Sequence, residues 1–127
     1  MIAVEVFDTK ARRHRLAVLR LAKWLVKKLA QNGSVEIFLV GDKFMQKNVL
    51  AFPAPKNFPR PDLGQAKPLG EIYLNPTHIK QREENLNYLL IHGFLHLLGY
   101  DHVKKNDRMM MERKEKRLLN KYDAKNL

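Results

Sequence analysis

Three of the five histidines of this chain lie within one run of eleven residues, HGFLHLLGYDH at 92–102. His92 and His96 are four residues apart, so a helix would place their rings on one face, about 6 Å apart. His102 lies six residues beyond His96, and a continuous helix would turn it roughly 240° away. The chain must therefore be helical through His96, end near Gly99 in a left-handed cap, and fold back to bring His102 to the same point.

Three imidazoles that converge in this way predict a metal site. They leave the charge of a divalent, zinc-like ion uncancelled and a fourth position open to water, which is typical of a catalytic centre. Water bound there can have a pKa near 7 and supply a hydroxide nucleophile. Nickel, iron and manganese accept the same ligand type. The alternative to a metal site is that the histidines only pack on an apolar helix. The third histidine, which follows a helix-stopping glycine, disfavours this alternative.

The residues next to the histidines indicate which bond the metal site would hydrolyse. In H-E-x-x-H peptidases a glutamate follows the first histidine and activates water, whereas this chain has Gly93 there. An anionic phosphodiester suits a positive three-histidine site, because the metal can stabilise charge on the phosphoryl oxygens. Asp101 is either a base or an orienter of the third histidine, or it caps the turn, and both alternatives stay open. The chain has no cysteine, which excludes cysteine-ligated zinc and disulfides.

The net charge of +11 is unevenly distributed along the chain. Residues 10–28 contain eight basic residues and no acid, residues 104–127 contain nine basic and four acidic residues, and the segment between them is balanced. This pattern indicates either solvated helix faces or surfaces that hold a nucleic-acid backbone. Glu5 and Asp8 interrupt any signal peptide, and the long uncharged stretch at 86–100 is too short to cross a bilayer. We expect a cytoplasmic protein that contacts RNA and no membrane.

Apolar periodicity predicts one domain over residues 1–127, an α/β (α+β) fold with a mixed sheet of about four strands covered by helices. The order is β-α-β-β-β-α-α, with strands over 2–7, 35–39, 48–52 and 70–74 and helices over 12–31, 81–98 and 107–122. Asn75 and Pro76 are expected to open the segment after the fourth strand. Five of the six prolines lie in 53–68, which predicts an extended loop. Phe7 and Trp24 are assigned to the core, and Met109, Met110 and Met111 to the buried face of the last helix.

The run at 92–102 resembles H-G-x-L-H-L-x-G-Y-D-H, the signature of the bacterial YbeY proteins, which are rRNA maturation factors and metal-dependent single-strand endoribonucleases. GEIYL at 70–74 and NVLAFP at 48–53 are similar to the family's G-D-I-x-I and D-V-L-S-F-P strands. The resemblance implies a metalloprotease-like fold and one zinc ion on His92, His96 and His102. It also implies small-subunit rRNA 3′-end processing, ribosome quality control, and the small ribosomal subunit and ribosomal proteins as partners.

The chain departs from the family pattern before its third strand. The family has a longer segment there, with an arginine used in catalysis or in binding RNA phosphate, whereas residues 41–47 are short and contain none. Lys43 or Lys47 replaces the charge but not the planar, bidentate grip of arginine. Lys47 and Asp101 are therefore the catalytic candidates. Two alternatives to the nuclease remain: a ribosome-associated RNA-binding or assembly factor with weak or lost cleavage, and a small metallopeptidase-like hydrolase, which Gly93 disfavours.

Overall fold

The computed structural model describes residues 1–55 and 67–126, so most of the loop predicted over 53–68 lies outside the described residues. The described elements follow one another in this order: β1 (Ile2–Val6), a 3-10 helix (Thr9–His14), α1 (Arg15–Leu29), β2 (Gly33–Leu39), β3 (Val49–Pro53), β4 (Lys67–Leu74), α2 (Pro76–Gln81), α3 (Leu86–Leu97) and α4 (Lys105–Lys125). Among the described residues, no helix combines the length and the apolar character that crossing a bilayer requires.

The four strands form one mixed sheet in the order β1-β2-β4-β3. β1 and β4 both pair in parallel with β2, and β3 pairs antiparallel with β4 at the edge. Ile37 and Ile72 are opposite each other in the register and fully buried, and they share one core with Leu21 of α1 and Phe94 of α3. The predicted α/β class with a mixed four-stranded sheet is confirmed.

The predicted helices differ from the structure at their boundaries. The first begins as the 3-10 helix, because the side chain of Asp8 accepts a hydrogen bond from the Lys10 amide and caps that turn. The helix predicted over 81–98 begins later, as α3 at Leu86, because Asn85 caps it after a break. Asn75 caps the separate short helix α2, as expected for the segment after the fourth strand. Glu83 in this break has a positive φ of 55°. A second asparagine cap is the local signal for the break.

The assignments of Phe7, Met109 and Met110 to the core are wrong. Phe7 is 53% exposed. Its ring packs against the ring of Phe38 at a centroid distance of 5.8 Å, and not against the core. Phe38 alternates with the core residue Ile37 and therefore lies on the other face of the sheet. On α4 only Met111 of the three methionines is buried, since Met109 and Met110 fall outside the stripe that packs on the core.

Candidate metal centre

α3 places two of the three histidines side by side. Its first turn is fixed by Asn85, whose side-chain oxygen accepts a hydrogen bond of 3.1 Å from the amide of Tyr88. Two turns later the rings of His92 and His96 have centroids 4.6 Å apart, and their Nε2 atoms are separated by 3.2 Å. The four-residue spacing therefore produces the juxtaposition that it predicts.

Gly99 ends α3 in the way that the third histidine requires. Its φ is +97°, its amide donates to the His96 carbonyl at 3.1 Å, and the Tyr100 amide donates to the Leu95 carbonyl at 3.0 Å. These two bonds form a Schellman cap. The chain then reverses, and the His102 ring centroid lies 4.9 Å from that of His96. Only a residue that tolerates a left-handed backbone makes this return easy.

Each of His92, His96 and His102 offers a ring nitrogen, and the three atoms lie within 4.8 Å of one another. In a tetrahedral site with zinc–nitrogen distances of about 2.0–2.1 Å, two ligand nitrogens lie about 3.3 Å apart. The measured 3.2 Å between His92 and His96 meets that requirement. We call these residues the three-histidine cluster. The spacing of His92 and His96 fits a zinc-like ion, His102 lies within 4.8 Å of both, and ligation itself stays a prediction.

A buried carboxylate stands behind the cluster. Glu115 of α4 is 2% exposed, and its Oε2 lies 2.5 Å from Nδ1 of His92. Its Oε1 accepts a hydrogen bond of 3.0 Å from the hydroxyl of Tyr88. A carboxylate that accepts from Nδ1–H leaves the lone pair of Nε2 free toward the metal position, which is the usual support of a metal-binding histidine. Burial and the nearby Glu115 charge raise the pKa of Tyr88 to about 12, so its hydroxyl stays a donor.

Sequence reasoning missed Glu115, although a signal was present. α4 buries a stripe consisting of Met111, Glu115, Leu118 and Tyr122, spaced by four, three and four residues. An acid in an otherwise apolar stripe requires a buried partner, because an unpaired carboxylate is costly to bury. That argument could have marked Glu115 as a buried acid with a polar partner, without identifying the partner.

The three-histidine cluster opens into a cavity of about 610 Å³, which we call the histidine cavity. Lys47 and β3 line one side of it, and Arg108 and Glu112 of α4 line another. Lys47 is therefore placed at the site, and its catalytic role stays a prediction. Arg108 is a second functional candidate that sequence reasoning missed, because nothing local in a basic helix distinguishes it from its neighbours.

Asp101 does not line the histidine cavity. Its Oδ1 accepts hydrogen bonds from the amides of His102 at 2.6 Å and Val103 at 3.1 Å. These contacts support the capping alternative, in which Asp101 fixes the backbone that carries the third histidine. The use of its carboxylate as a base stays a prediction.

Gly93 brings α3 close to the sheet. A Cβ atom at this position would lie 3.2 Å from methyl carbons of both Ile72 and Val49. A larger side chain would push the helix away from β3 and β4, and with it the histidines on either side. The position that holds a glutamate in H-E-x-x-H peptidases is therefore occupied here by a glycine packed tightly against the sheet.

The environment of His96 favours its neutral form. Burial lowers the pKa of its imidazole, and the neighbouring His92 and His102 lower it further. A metal binds only the neutral imidazole, so this shift reduces competition from protons. Burial and clustering thus prepare the site for a cation.

The fold and the site together define a class: a mixed α/β fold with three histidines presented by a helix and its return turn and supported by a buried glutamate. A sequence model of the family described as Endoribonuclease YbeY matches residues 10–123. The chain belongs to the YbeY family.

Relatives support this assignment at the level of the whole sequence. An Endoribonuclease YbeY from Lacticaseibacillus casei is 30% identical over 119 residues, covering 75% of this chain and 77% of that protein. An Endoribonuclease YbeY from Sinorhizobium fredii is 42% identical over 78 residues, covering 57% of this chain and 45% of that protein. The solution structure of TM1509 from Thermotoga maritima has the same fold, with a TM-score of 0.57 and 19% sequence identity. The match covers 98% of this chain and 93% of that protein.

Proposed function

We propose that this chain is a metal-dependent endoribonuclease that acts in rRNA maturation, with one zinc ion held by His92, His96 and His102. The observation that carries the proposal is the convergence of three imidazole nitrogens within 4.8 Å, on an open cavity and backed by Glu115. The relatives named Endoribonuclease YbeY supply the reaction class. The three histidines match the positions that the family signature predicts.

The proposed mechanism assigns each task to a residue of this chain. A bound zinc ion would activate water and stabilise negative charge on a phosphoryl oxygen. Glu115 holds the Nδ1 proton of His92 and so fixes the direction of its Nε2 lone pair. Asp101 fixes the turn that carries His102. Lys47 and Arg108, on different sides of the histidine cavity, supply positive charge for the phosphodiester.

Arg108 also bears on the alternative of an RNA-binding or assembly factor with lost cleavage. The short segment 41–47 favours that alternative because it holds no arginine. Arg108 provides a guanidinium at the same cavity from a different element. We therefore propose that cleavage is retained. Gly93 continues to disfavour a peptidase, because it supplies no carboxylate and packs tightly against Ile72 and Val49.

The remaining predictions belong to the same proposal. We propose that the chain works as a single domain in the cytoplasm and that its substrate is the 3′ region of small-subunit rRNA. The small ribosomal subunit and its proteins are the proposed partners. The net charge of +11 supports a polyanionic partner.

Metal analysis combined with an RNA digest tests the proposal. The purified protein is expected to contain one zinc ion per chain and to cleave a single-stranded rRNA fragment, and a chelator is expected to abolish cleavage. His96→Ala removes a ligand and is expected to lose both metal and cleavage. His78→Ala is the matched control, because His78 lies outside the histidine cavity. Cleavage retained by metal-free, pure protein would overturn the proposal.

A further inference from the structure

A second cavity, of about 510 Å³, is lined by residues from the 3-10 helix and from α2, none of which lines the histidine cavity. All six lining side chains carry nitrogen or hydroxyl groups that can donate hydrogen bonds, and none carries a carboxylate: Lys10, Arg13, His14, Thr77, Lys80 and Gln81. We call it the cationic cavity. It also has no aromatic ring other than the imidazole.

Core packing brings the two elements together. Ala11 of the 3-10 helix is buried, and so are Pro76 and Ile79 of α2. The cationic side chains of Lys10 and Lys80 are on the exposed sides of these elements and converge on one opening. Residues far apart in the sequence therefore form a single positive site.

The cations of this cavity lack acidic partners in the described part of the chain. Within residues 1–55 and 67–126, no ion pair involves Lys10, Arg13 or Lys80. The nearby Asp8 directs Oδ1 to the backbone amide of Lys10. Like charges held together without a counterion repel one another, and a bound anion would relieve that repulsion.

His14 contacts Arg13 and is affected by the positive charges around the cationic cavity. Nε of Arg13 donates a hydrogen bond of 3.3 Å to Nε2 of His14. The two terminal amino groups of the guanidinium have no partner among the described residues, so the fork that suits phosphate is available. Burial lowers the pKa of His14, and the charges of Arg13 and Lys80 lower it further.

We propose that the cationic cavity binds a phosphate group of the RNA backbone outside the metal centre. The donors match phosphate, because its oxygens only accept hydrogen bonds, and Thr77 and Gln81 add neutral donors to the cations. The absence of an aromatic platform among the lining residues means that bases are not stacked there, so the contact is independent of sequence. The identity of the polyanion rests on the proposed function.

The test compares two variants that lose the same charge. Arg13→Ala with Lys80→Ala empties the cationic cavity of two cations, whereas Lys23→Ala with Arg113→Ala removes two exposed cations that line neither cavity. Affinity for a 2′-O-methyl oligouridine of about 20 nucleotides is measured by fluorescence anisotropy over a range of salt concentrations. The modified backbone is used so that binding is measured apart from cleavage.

Each lost phosphate contact on a single strand lowers the salt slope by about 0.7, so the first variant, which loses the contact with one phosphate, is expected to lose about 0.7 in slope and on the order of 10-fold in affinity. The control is expected to keep the parental slope. Unchanged binding by the first variant, or equal losses in both variants, would overturn the proposal. Tight binding of an oligoglutamate that depends on Arg13 and Lys80 would point to an acidic protein partner and would overturn it as well.

Two further readouts separate this site from the metal centre. Titration with inorganic phosphate is expected to raise the pKa of His14 measured by NMR, with His14→Gln assigning the signal, and an unshifted signal at saturating phosphate contradicts the proposal. The metal content and the cleavage of a tetranucleotide by Arg13→Ala with Lys80→Ala are expected to match the parent. If the parent itself lacks metal and cleavage, the proposed function fails, while the anisotropy experiment still decides whether the cationic cavity binds phosphate.

Discussion

The hydrogen bond between Glu115 and His92 leads to the sharpest prediction. Glu115→Gln preserves the size of the side chain but replaces the carboxylate that holds the Nδ1 proton of His92. The amide can satisfy Nδ1–H through its oxygen, and its NH₂ group then faces the Tyr88 hydroxyl, which must turn from donor to acceptor. The buried site thus exchanges two charge-assisted hydrogen bonds for neutral ones and loses the charge that raises the basicity of the imidazole.

Loss of such a supporting partner typically weakens metal binding by about 10- to 100-fold, which corresponds to about 1.4–2.7 kcal/mol. Because Glu115 is 2% exposed and serves two donors, we expect the upper half of that range. Tyr88→Phe removes only the second hydrogen bond and is expected to cost less than fivefold, about 1 kcal/mol. The zinc dissociation constant is measured by competition with a chromophoric chelator.

Glu112→Gln is the matched control, since Glu112 lies on the same helix, lines the same cavity and is exposed. It removes the same charge without touching a histidine and is expected to change zinc affinity by less than about threefold. An unchanged zinc affinity in Glu115→Gln would refute the orienting role. Equal losses in both variants would show that total charge, rather than the orientation of His92, sets the affinity.

Three further predictions concern packing, pH and substrate binding. Gly93→Ala forces a methyl group against the sheet and is expected to lower the free energy of unfolding by about 1–3 kcal/mol in urea. Because burial and neighbouring cations lower the pKa of His14, the unfolded state binds more protons below about pH 6.5. The free energy of unfolding should therefore fall as the pH drops through that value, and His14→Gln should flatten this part of a urea-unfolding pH series. Arg108→Ala should raise KM for RNA at unchanged metal content, with Arg113→Ala as its control, and an unaltered KM would remove Arg108 from the site.

Local sequence determined what could be predicted about the three-histidine cluster. The spacing of His92 and His96 and the position of Gly99 act within one helix and its cap, so their geometry follows from helical periodicity. The apolar stripe of α4 signals that Glu115 is buried, but the identity of its partner depends on how α4 packs across α3, which no local pattern specifies. The same limit applies to Phe7, whose exposure depends on which face of the sheet the helices cover.

The basic segment at 10–28 shows how the fold differentiates residues that look alike in sequence. Nε of Arg15 donates to the Val4 carbonyl and ties α1 to the sheet. Nζ of Lys28 lies over the Trp24 ring at 5.3 Å from its centroid. Arg13 instead joins residues of α2 around the cationic cavity. A net charge therefore predicted a polyanionic partner but not the residues that would hold it.

α4 unites the functional elements of this protein, although the family signature ends before it begins. Met111 and Leu118 dock the helix on the core, Glu115 between them reaches His92, and Arg108 lines the histidine cavity. Metal affinity should therefore depend on the register of this helix as much as on the signature. A YbeY-type chain that retains the three histidines but has an apolar residue at the position of Glu115 should bind zinc more weakly. Restoring the acid there should recover the affinity, because His92 would again have a partner for Nδ1–H.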